Sequence, residues 1–182
     1  MKIIYRAICM VLIALGTFTS LNAQSANHIR SVELKPFNHV QLQNNSEIIL
    51  IKSTRNYMFI QGDSAEINDI AFVEEDGILG IDILDSAFNS NRIVIEFTEL
   101  NYATTGGNGE YYILNIDEDF LSILNPQATL TISGSANNFR LTSDNGYNDL
   151  SSLETKKDII FVEDVANLVS PTKKGWFFAR RD

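Results

Sequence analysis

The chain has 182 residues, 45% hydrophobic and 20% charged, with a formal net charge of −9 and a single cysteine. That length suffices for one domain with a sizeable core. The acid surplus repels phosphate backbones and anionic lipid surfaces, which excludes nucleic acid as a partner and peripheral electrostatic attachment to a membrane.

Met1 to Arg6 carries Lys2 and Arg6 and no acid, and residues 7–18 (AICMVLIALGTF) form an apolar or small-residue run of 12. A bilayer-spanning helix needs about 20 residues, so this run is too short to span and fits the core of a secretory signal. Residues 19–23 then supply a polar stretch ending in the small Ala23. Together they predict a cleavable signal peptide at 1–23 and a mature chain, one domain, at 24–182 starting at Gln24. A buried N-terminal helix of a cytosolic domain is the plainer alternative, and charge, length and cleavage residues all favour export over it. Cys9 lies inside the signal, too early to accept a lipid, so the mature chain has no thiol for disulfides, metal or catalysis. Loss of Lys2 and Arg6 takes the charge from −9 to −11. No second long apolar run follows, so a soluble mature protein with no transmembrane segment is expected.

Beyond residue 24 no stretch sustains helical periodicity; residues 64–70 and 117–124 are each good for a turn or two. Short runs rich in Ile, Val, Phe and Tyr recur instead, separated by Asn, Gly, Asp and Ser, the pattern of an all-β chain. His39 is expected in an edge strand and His28 in a disordered lead-in. Residues 47–52 (EIILIK) are apolar on both faces, which predicts a strand covered on both sides. Asp76-Gly77 is a favoured two-residue type I′ turn. It pairs Glu74 with Leu79, Phe72 with Ile81 and Ile70 with Ile83, placing Ile70, Phe72, Leu79, Ile81 and Ile83 on one apolar face and Glu75 and Asp82 on the other. In residues 92–97, Ile93, Ile95 and Phe97 point inward and Glu96 outward. Residues 129–133, 139–142, 159–162 and 176–178 are further strands. Residues 132–139 (ISGSANNF) and 161–168 (FVEDVANL) echo each other about 29 residues apart, with residues 104–108 (TTGGN) at a similar distance upstream. Such a rhythm fits coils of a β-solenoid, and equally fits chance among the turns of a sandwich.

A family resemblance favours the first. It runs over residues 29–169, through Arg30-Ser31-Val32, Phe37-Asn38-His39-Val40, residues 48–51, Phe59-Ile60-Gln61-Gly62-Asp63, residues 67–73 and Asp76-Gly77-Ile78-Leu79-Gly80-Ile81. Ile93-Val94-Ile95 with Glu99-Leu100, the corner Gly106-Gly107-Asn108-Gly109, and Leu130-Thr131-Ile132-Ser133-Gly134-Ser135-Ala136-Asn137 continue it. In this order they resemble the GIN-domain family, also called the putative auto-transporter adhesin head domain. The resemblance implies a single-domain, right-handed β-helix or solenoid-like all-β fold in exported proteins of Gram-negative bacteria, with an adhesive role and no catalytic residues to carry over. Residues 173–182 depart from the family pattern, lacking further glycine-rich coils, which implies a differently capped last coil.

Candidate chemistry is sparse. A Ser-His-Asp triad needs a base beside the nucleophile, and His28 and His39 are the only histidines; no Gly-x-Ser-x-Gly elbow exists. Carboxylate pairs are available at Asp82 and Asp85, Glu96 and Glu99, Asp117-Glu118-Asp119, and Glu163-Asp164. Cleavage of a glycosidic bond needs two carboxyls about 5 to 10 Å apart, and an acidic chain offers such pairs by chance, so solvated surface acids are the preferred reading. Asp117-Glu118-Asp119 lacks the spacing and glycine of a calcium loop, and Gly106-Gly107-Asn108-Gly109 lacks the lysine and helix of a phosphate cradle. No metal or cofactor is expected. Trp176, Phe177 and Phe178 are the densest aromatic group, either a contact surface for carbohydrate or protein or the cap of a core. The expected function is therefore a non-enzymatic, exported β-solenoid module, an adhesin or cell-envelope binding protein of the periplasm, outer-membrane surface or medium. Its partner would be an envelope or extracellular glycan or protein. The alternative is a carbohydrate-active enzyme with a carboxylate pair in a β-helix groove, and a structural or envelope-stress accessory protein is a third option.

Overall fold

Alternation of apolar and polar residues with period two builds strands here, and their partners are decided by where the chain turns. The computed structural model describes residues 28–83, 92–170 and, for the backbone, 176–179. The expected signal at 1–23 with Cys9, the start at Gln24, Asp85, and residues 173–175 and 180–182 lie outside the described residues. The strands are β1 (His28–Glu33), β2 (His39–Asn44), β3 (Glu47–Lys52), β4 (Tyr57–Gly62), β5 (Phe72–Glu75), β6 (Ile78–Ile83), β7 (Arg92–Phe97) and β8 (Tyr102–Gly106). They continue with β9 (Glu110–Asn125), β10 (Thr129–Ser143), β11 (Tyr147–Val162), β12 (Leu168–Val169) and β13 (Trp176–Ala179), with one short helix, α1 (Ser64–Asp69), between β4 and β5. The chain is mostly β, a single domain formed by one curled, half-barrel sheet.

The hairpin at Asp76-Gly77 forms in the expected register, with Phe72 opposite Ile81 and Glu74 opposite Leu79. Asp76 and Gly77 have φ of 48° and 77°, the left-handed pair a type I′ turn requires. Ile70, Leu79, Ile81 and Ile83 are buried while Glu75 and Asp82 are exposed; Phe72 packs against the core only in part. The helix at 64–69 also forms. Ile67 and Ile70 anchor it in the core, and the Arg30 guanidinium donates to the carbonyls of Ile67 and Ile70 at 3.0 and 3.1 Å. A cation placed there complements the negative end of the helix.

The second expected helical segment, 117–124, is strand throughout, within β9. Its apolar spacing looked helical because β9 turns a corner at Asp119-Phe120, where two successive residues are exposed and the alternation slips by one. The same slip explains why 129–133 and 139–142, expected as separate strands, are one continuous β10. Three such strands succeed each other in parallel with only residues 126–128 and 144–146 between them. Straight parallel neighbours need a crossover of a dozen residues or more, so each strand must itself bend back around. Glu110 pairs with Thr129, Thr129 with Tyr147, and Asn148 with Leu168, a return every 18 to 20 residues. The 29-residue echo is therefore not the structural period. Ala136-Asn137 lies at a bend inside β10, whereas Ala166-Asn167 lies in a 3-10 turn between β11 and β12, so the matching letters occupy unlike places.

These bends divide the sheet into faces. The last third of β9, β10 and β11 continues the row β6-β2-β8, while the first third continues β7-β3. Their inward residues, including Leu42, Leu50, Ile60, Ile95, Ile113, Leu130 and Leu141, are completely buried. Residues 47–52 are less enclosed than their composition predicted: Ile48 and Leu50 are buried, Ile49 and Ile51 only half-buried. His39 is not at an edge, because β2 has β6 on one side and β8 on the other. His28 belongs to β1, paired with Gly62 of β4, rather than to a lead-in.

The turns between long strands are closed by buried asparagines. The Asn125 amide accepts from Thr105 Oγ1 and the Ala128 N–H at 2.8 and 3.0 Å, and donates to the Ala128 carbonyl and to Asn148 Oδ1 at 3.0 and 2.8 Å. Asn148 in turn donates to Ser143 Oγ and the Gly146 carbonyl. Buried polar groups are tolerated only when paired, and this stack pairs them from one circuit to the next. Gly146 is needed beside it, since a Cβ there would overlap the Asn125 amide.

Candidate contact face

In a parallel ladder directly paired residues share a face, so the register identifies which side chains form each outer row. One outer row runs His39, Tyr102, Ser122, Arg140, Ile159; the next runs Gln41, Thr104, Leu124, Thr142, Phe161. Among the described residues eight large apolar side chains are strongly exposed, and five of them, Val73, Tyr102, Phe120, Leu124 and Ile159, fall on this side of the sheet. The Tyr102 ring packs edge-on against Phe120 at 5.5 Å between centroids, and the His39 ring lies 5.8 Å from Tyr102 on the other side. Arg140 sits over the Phe161 ring at 5.7 Å. Partial burial beside Tyr102 lowers the pKa of His39, favouring its neutral form.

Two concavities adjoin these rows. A groove of about 520 Å³ lies over β5, β6 and β2, lined in part by Gln41, Gln43, Val73, Ile78, Gly80 and Asp82. A hollow of about 400 Å³ is lined by Glu99, Asn101, Asp117, Glu118, Asp119 and Asn137. The latter brings Glu99 to the consecutive acids Asp117-Glu118-Asp119. Each is engaged by a neighbour: Glu99 accepts from Asn101, Asp117 from Ser135, and Asp119 from the Asn137 amide at 2.6 Å. Glu118 is nearly buried and holds the Lys52 ammonium at 2.5 Å while accepting from the Leu100 N–H. Elsewhere Glu96 is paired with Arg55, and Asp164 accepts from the Ala166 N–H. Among the described residues no group of three or more His, Cys, Asp or Glu side chains is placed to hold a metal ion.

The aromatic group expected at the C-terminal end is a strand, β13, parallel to the end of β11. Its register sets Trp176 beside exposed Ile159, Phe177 beside buried Ile160 and Phe178 beside half-buried Phe161. Tyr102, Phe120, Leu124 and Ile159 were not singled out in the sequence. The offset that links them is one circuit: Tyr102 pairs with Ser122, 20 residues on, and Phe120 lies two residues before Ser122 on the same strand.

The curled parallel sheet and its order of strands match a known domain. Residues 36–157 fit the family described as "Putative auto-transporter adhesin, head GIN domain". The chain belongs to that family. The GIN domain is also similar in fold to several solved structures. A putative adhesin from Bacteroides fragilis NCTC 9343 superposes with a TM-score of 0.56 at 16% identity, covering 77% of this chain and 78% of that one. Putative adhesins from Parabacteroides distasonis ATCC 8503 and Parabacteroides merdae ATCC 43184 each give 0.52 at 9% identity, covering 76% of this chain and 79% and 78% of theirs. At these identities the likeness is one of fold. No curated protein matches the chain. Among the described residues no helix is long and apolar enough to cross a membrane.

Proposed function

We propose that this GIN domain is an exported, non-enzymatic adhesin module that binds an envelope or extracellular partner through the outward side of its sheet. The observation that carries the reading is the gathering there of five strongly exposed apolar side chains, where scattered single residues would need no explanation. Family membership supports an adhesive role, and the signal-like residues 1–23 support export from a Gram-negative cell to the periplasm, the outer-membrane surface or the medium. The 18- to 20-residue circuits fit right-handed β-helix coils, with 24–182 as the mature domain. By register Trp176 and Phe178, beside Ile159 and Phe161 of the outward rows, extend the contact surface onto β13, while Phe177 falls in line with buried Ile160.

The test is fractionation of the native host, followed by a pull-down of mature protein from residue 24 with isolated envelopes. Expected are a processed protein outside the cytoplasm, saturable envelope binding, and its loss in Leu124→Ser/Ile159→Ser. Unprocessed protein confined to the cytoplasm, or envelope binding unchanged by that double variant, overturns the reading.

A further inference from the structure

The outward side is not uniformly apolar. At one end, where β9 turns its corner, three rings stand in line on three adjacent strands: His39 on β2, Tyr102 on β8 and Phe120 on β9. Tyr102 is 48% and Phe120 36% exposed among the described residues. Each is joined through the backbone to the wall of the 400 Å³ hollow, since Asn101 precedes Tyr102 and Asp119 precedes Phe120. The Ser122 N–H donates to the Asn101 carbonyl at 2.8 Å, tying β9 to the start of β8, and the Asn138 amide donates to the Asp119 carbonyl at 3.0 Å, tying β10 to β9. A fixed ring pair thus borders a polar pocket.

We propose that Tyr102 and Phe120, with the adjoining hollow, form a subsite for a neutral polysaccharide chain, a reading that rests on the adhesin function above. The chemistry selects this occupant. A sugar ring presents C–H groups on its faces and hydroxyl donors around its edge. The flat faces suit exposed aromatic rings, which supply a large apolar surface with few rotatable bonds to order. The edge hydroxyls suit a wall of carboxylates, which only accept hydrogen bonds, and amides, which accept and donate. Glu99, Asp117 and Asp119 have spare oxygen lone pairs after their single bonds to Asn101, Ser135 and Asn137. Parallel strands lie about 4.8 Å apart, so rings on successive strands meet successive units of an extended chain. Carboxylates at the wall repel uronate- or sulfate-bearing polymers, which leaves neutral chains. An apolar peptide would find rings but no use for a wall of acids.

The test separates this subsite from the broader reading. Mature protein is titrated with neutral hexasaccharides of glucose, mannose, xylose and N-acetylglucosamine, with a heparin oligosaccharide as the anionic control, by calorimetry. In parallel it is bound to isolated envelopes treated with periodate, which destroys sugar rings, or with protease. Expected are saturable binding of at least one neutral hexasaccharide and none of heparin. Tyr102→Leu and Phe120→Leu, which keep apolar bulk but remove the ring, should each weaken binding at least tenfold. Phe120→Tyr should retain it, and all three variants should keep the parent's circular dichroism and unfolding midpoint. If envelopes bind but periodate has no effect and no hexasaccharide binds, the glycan subsite is wrong and the adhesin reading stands. Protease-sensitive, periodate-resistant binding likewise overturns the subsite in favour of a protein partner. If untreated envelopes do not bind at all, both readings fail.

Discussion

The turn column around Asn125 and Asn148 and the outward side around Tyr102 and Phe120 are carried by the same bent strands, and they are made in opposite ways. In the column every polar atom of Asn125 is spent on a neighbour and the residue is fully buried. On the outward side, Tyr102, Phe120, Leu124 and Ile159 keep 36 to 48% of their surface exposed. Tyrosine shows the contrast within one residue type. Tyr111 is buried, accepts from the Asn44 N–H and donates to the Gly106 carbonyl at 2.5 Å; Tyr102 is 48% exposed. The first arrangement holds circuits together, and the second contributes little to folding. Apolar groups are left exposed at a cost in solubility, which the proposed contact role would account for.

The sharpest way to break the column is Asn125→Ala. It strands Thr105, Ala128 and Asn148 without their partners, and leaving buried groups unsatisfied costs about 3 kcal/mol in all, read as a lowered urea midpoint. Gly146→Ala forces a Cβ into the Asn125 amide; about 2 kcal/mol is expected by the same measurement, in line with overpacking elsewhere. Alkaline pH probes a second buried polar group, Tyr111. Burial pushes the Tyr111 hydroxyl up to about 12, against the opposing pull of its backbone hydrogen bonds to Asn44 and Gly106. The unfolded chain therefore ionises first, from pH 10 upward. The Tyr111 contribution to stability is level below pH 10 and falls as pH rises toward 12, by up to about 2 kcal/mol, and Tyr111→Phe should flatten that limb of the curve.

The outward side should respond differently. Leu124→Ser with Ile159→Ser is expected to shift stability by less than about 0.5 kcal/mol, as exposed substitutions do, while raising solubility in a precipitation titration. A loss of stability as large as that of Asn125→Ala would mean the side is core, and the contrast would collapse. The smallest effect is His39. Because burial lowers its pKa from 6.5, the unfolded state takes up a proton first as pH falls. Stability declines slightly below pH 6.5, until the folded state is protonated too. His39→Phe, which keeps a ring beside Tyr102, should abolish that shallow decline in thermal unfolding at pH 7.5 and 5.5.

Much of the fold was legible because its rules are local. The Asp76-Gly77 hairpin needs only left-handed backbone and alternating side chains, so its register followed from eight residues. Ile93, Ile95 and Phe97 declared an inward face in the same way, and all three are fully buried. The rhythm of the second half misled because an echo of letters, Ala136-Asn137 and Ala166-Asn167, stood in for a geometric period. Bends inside β9 and β10 carry no proline and no long polar stretch; their mark is two neighbouring exposed residues or a left-handed one such as Asn115, with φ of 58°. Periodicity scanned in a short window interprets that slip as helix or as a strand end.

The sequence by itself determined an acidic, β-forming chain of one domain, a signal-like beginning and the family to which residues 36–157 belong. Composition, turn chemistry and period-two alternation depend only on near neighbours along the chain. What only the tertiary structure decided is which strands lie side by side. Tyr102 meets Phe120, and Glu99 meets Asp117 and Asp119, because parallel pairing brings together residues 20 positions apart and their near neighbours. No local preference encodes that offset; it is the length of one bent circuit, set by where the sheet turns and how its core fills. The proposed contact side is therefore assembled from residues that, read singly, are an ordinary tyrosine, an ordinary phenylalanine and a few surface acids.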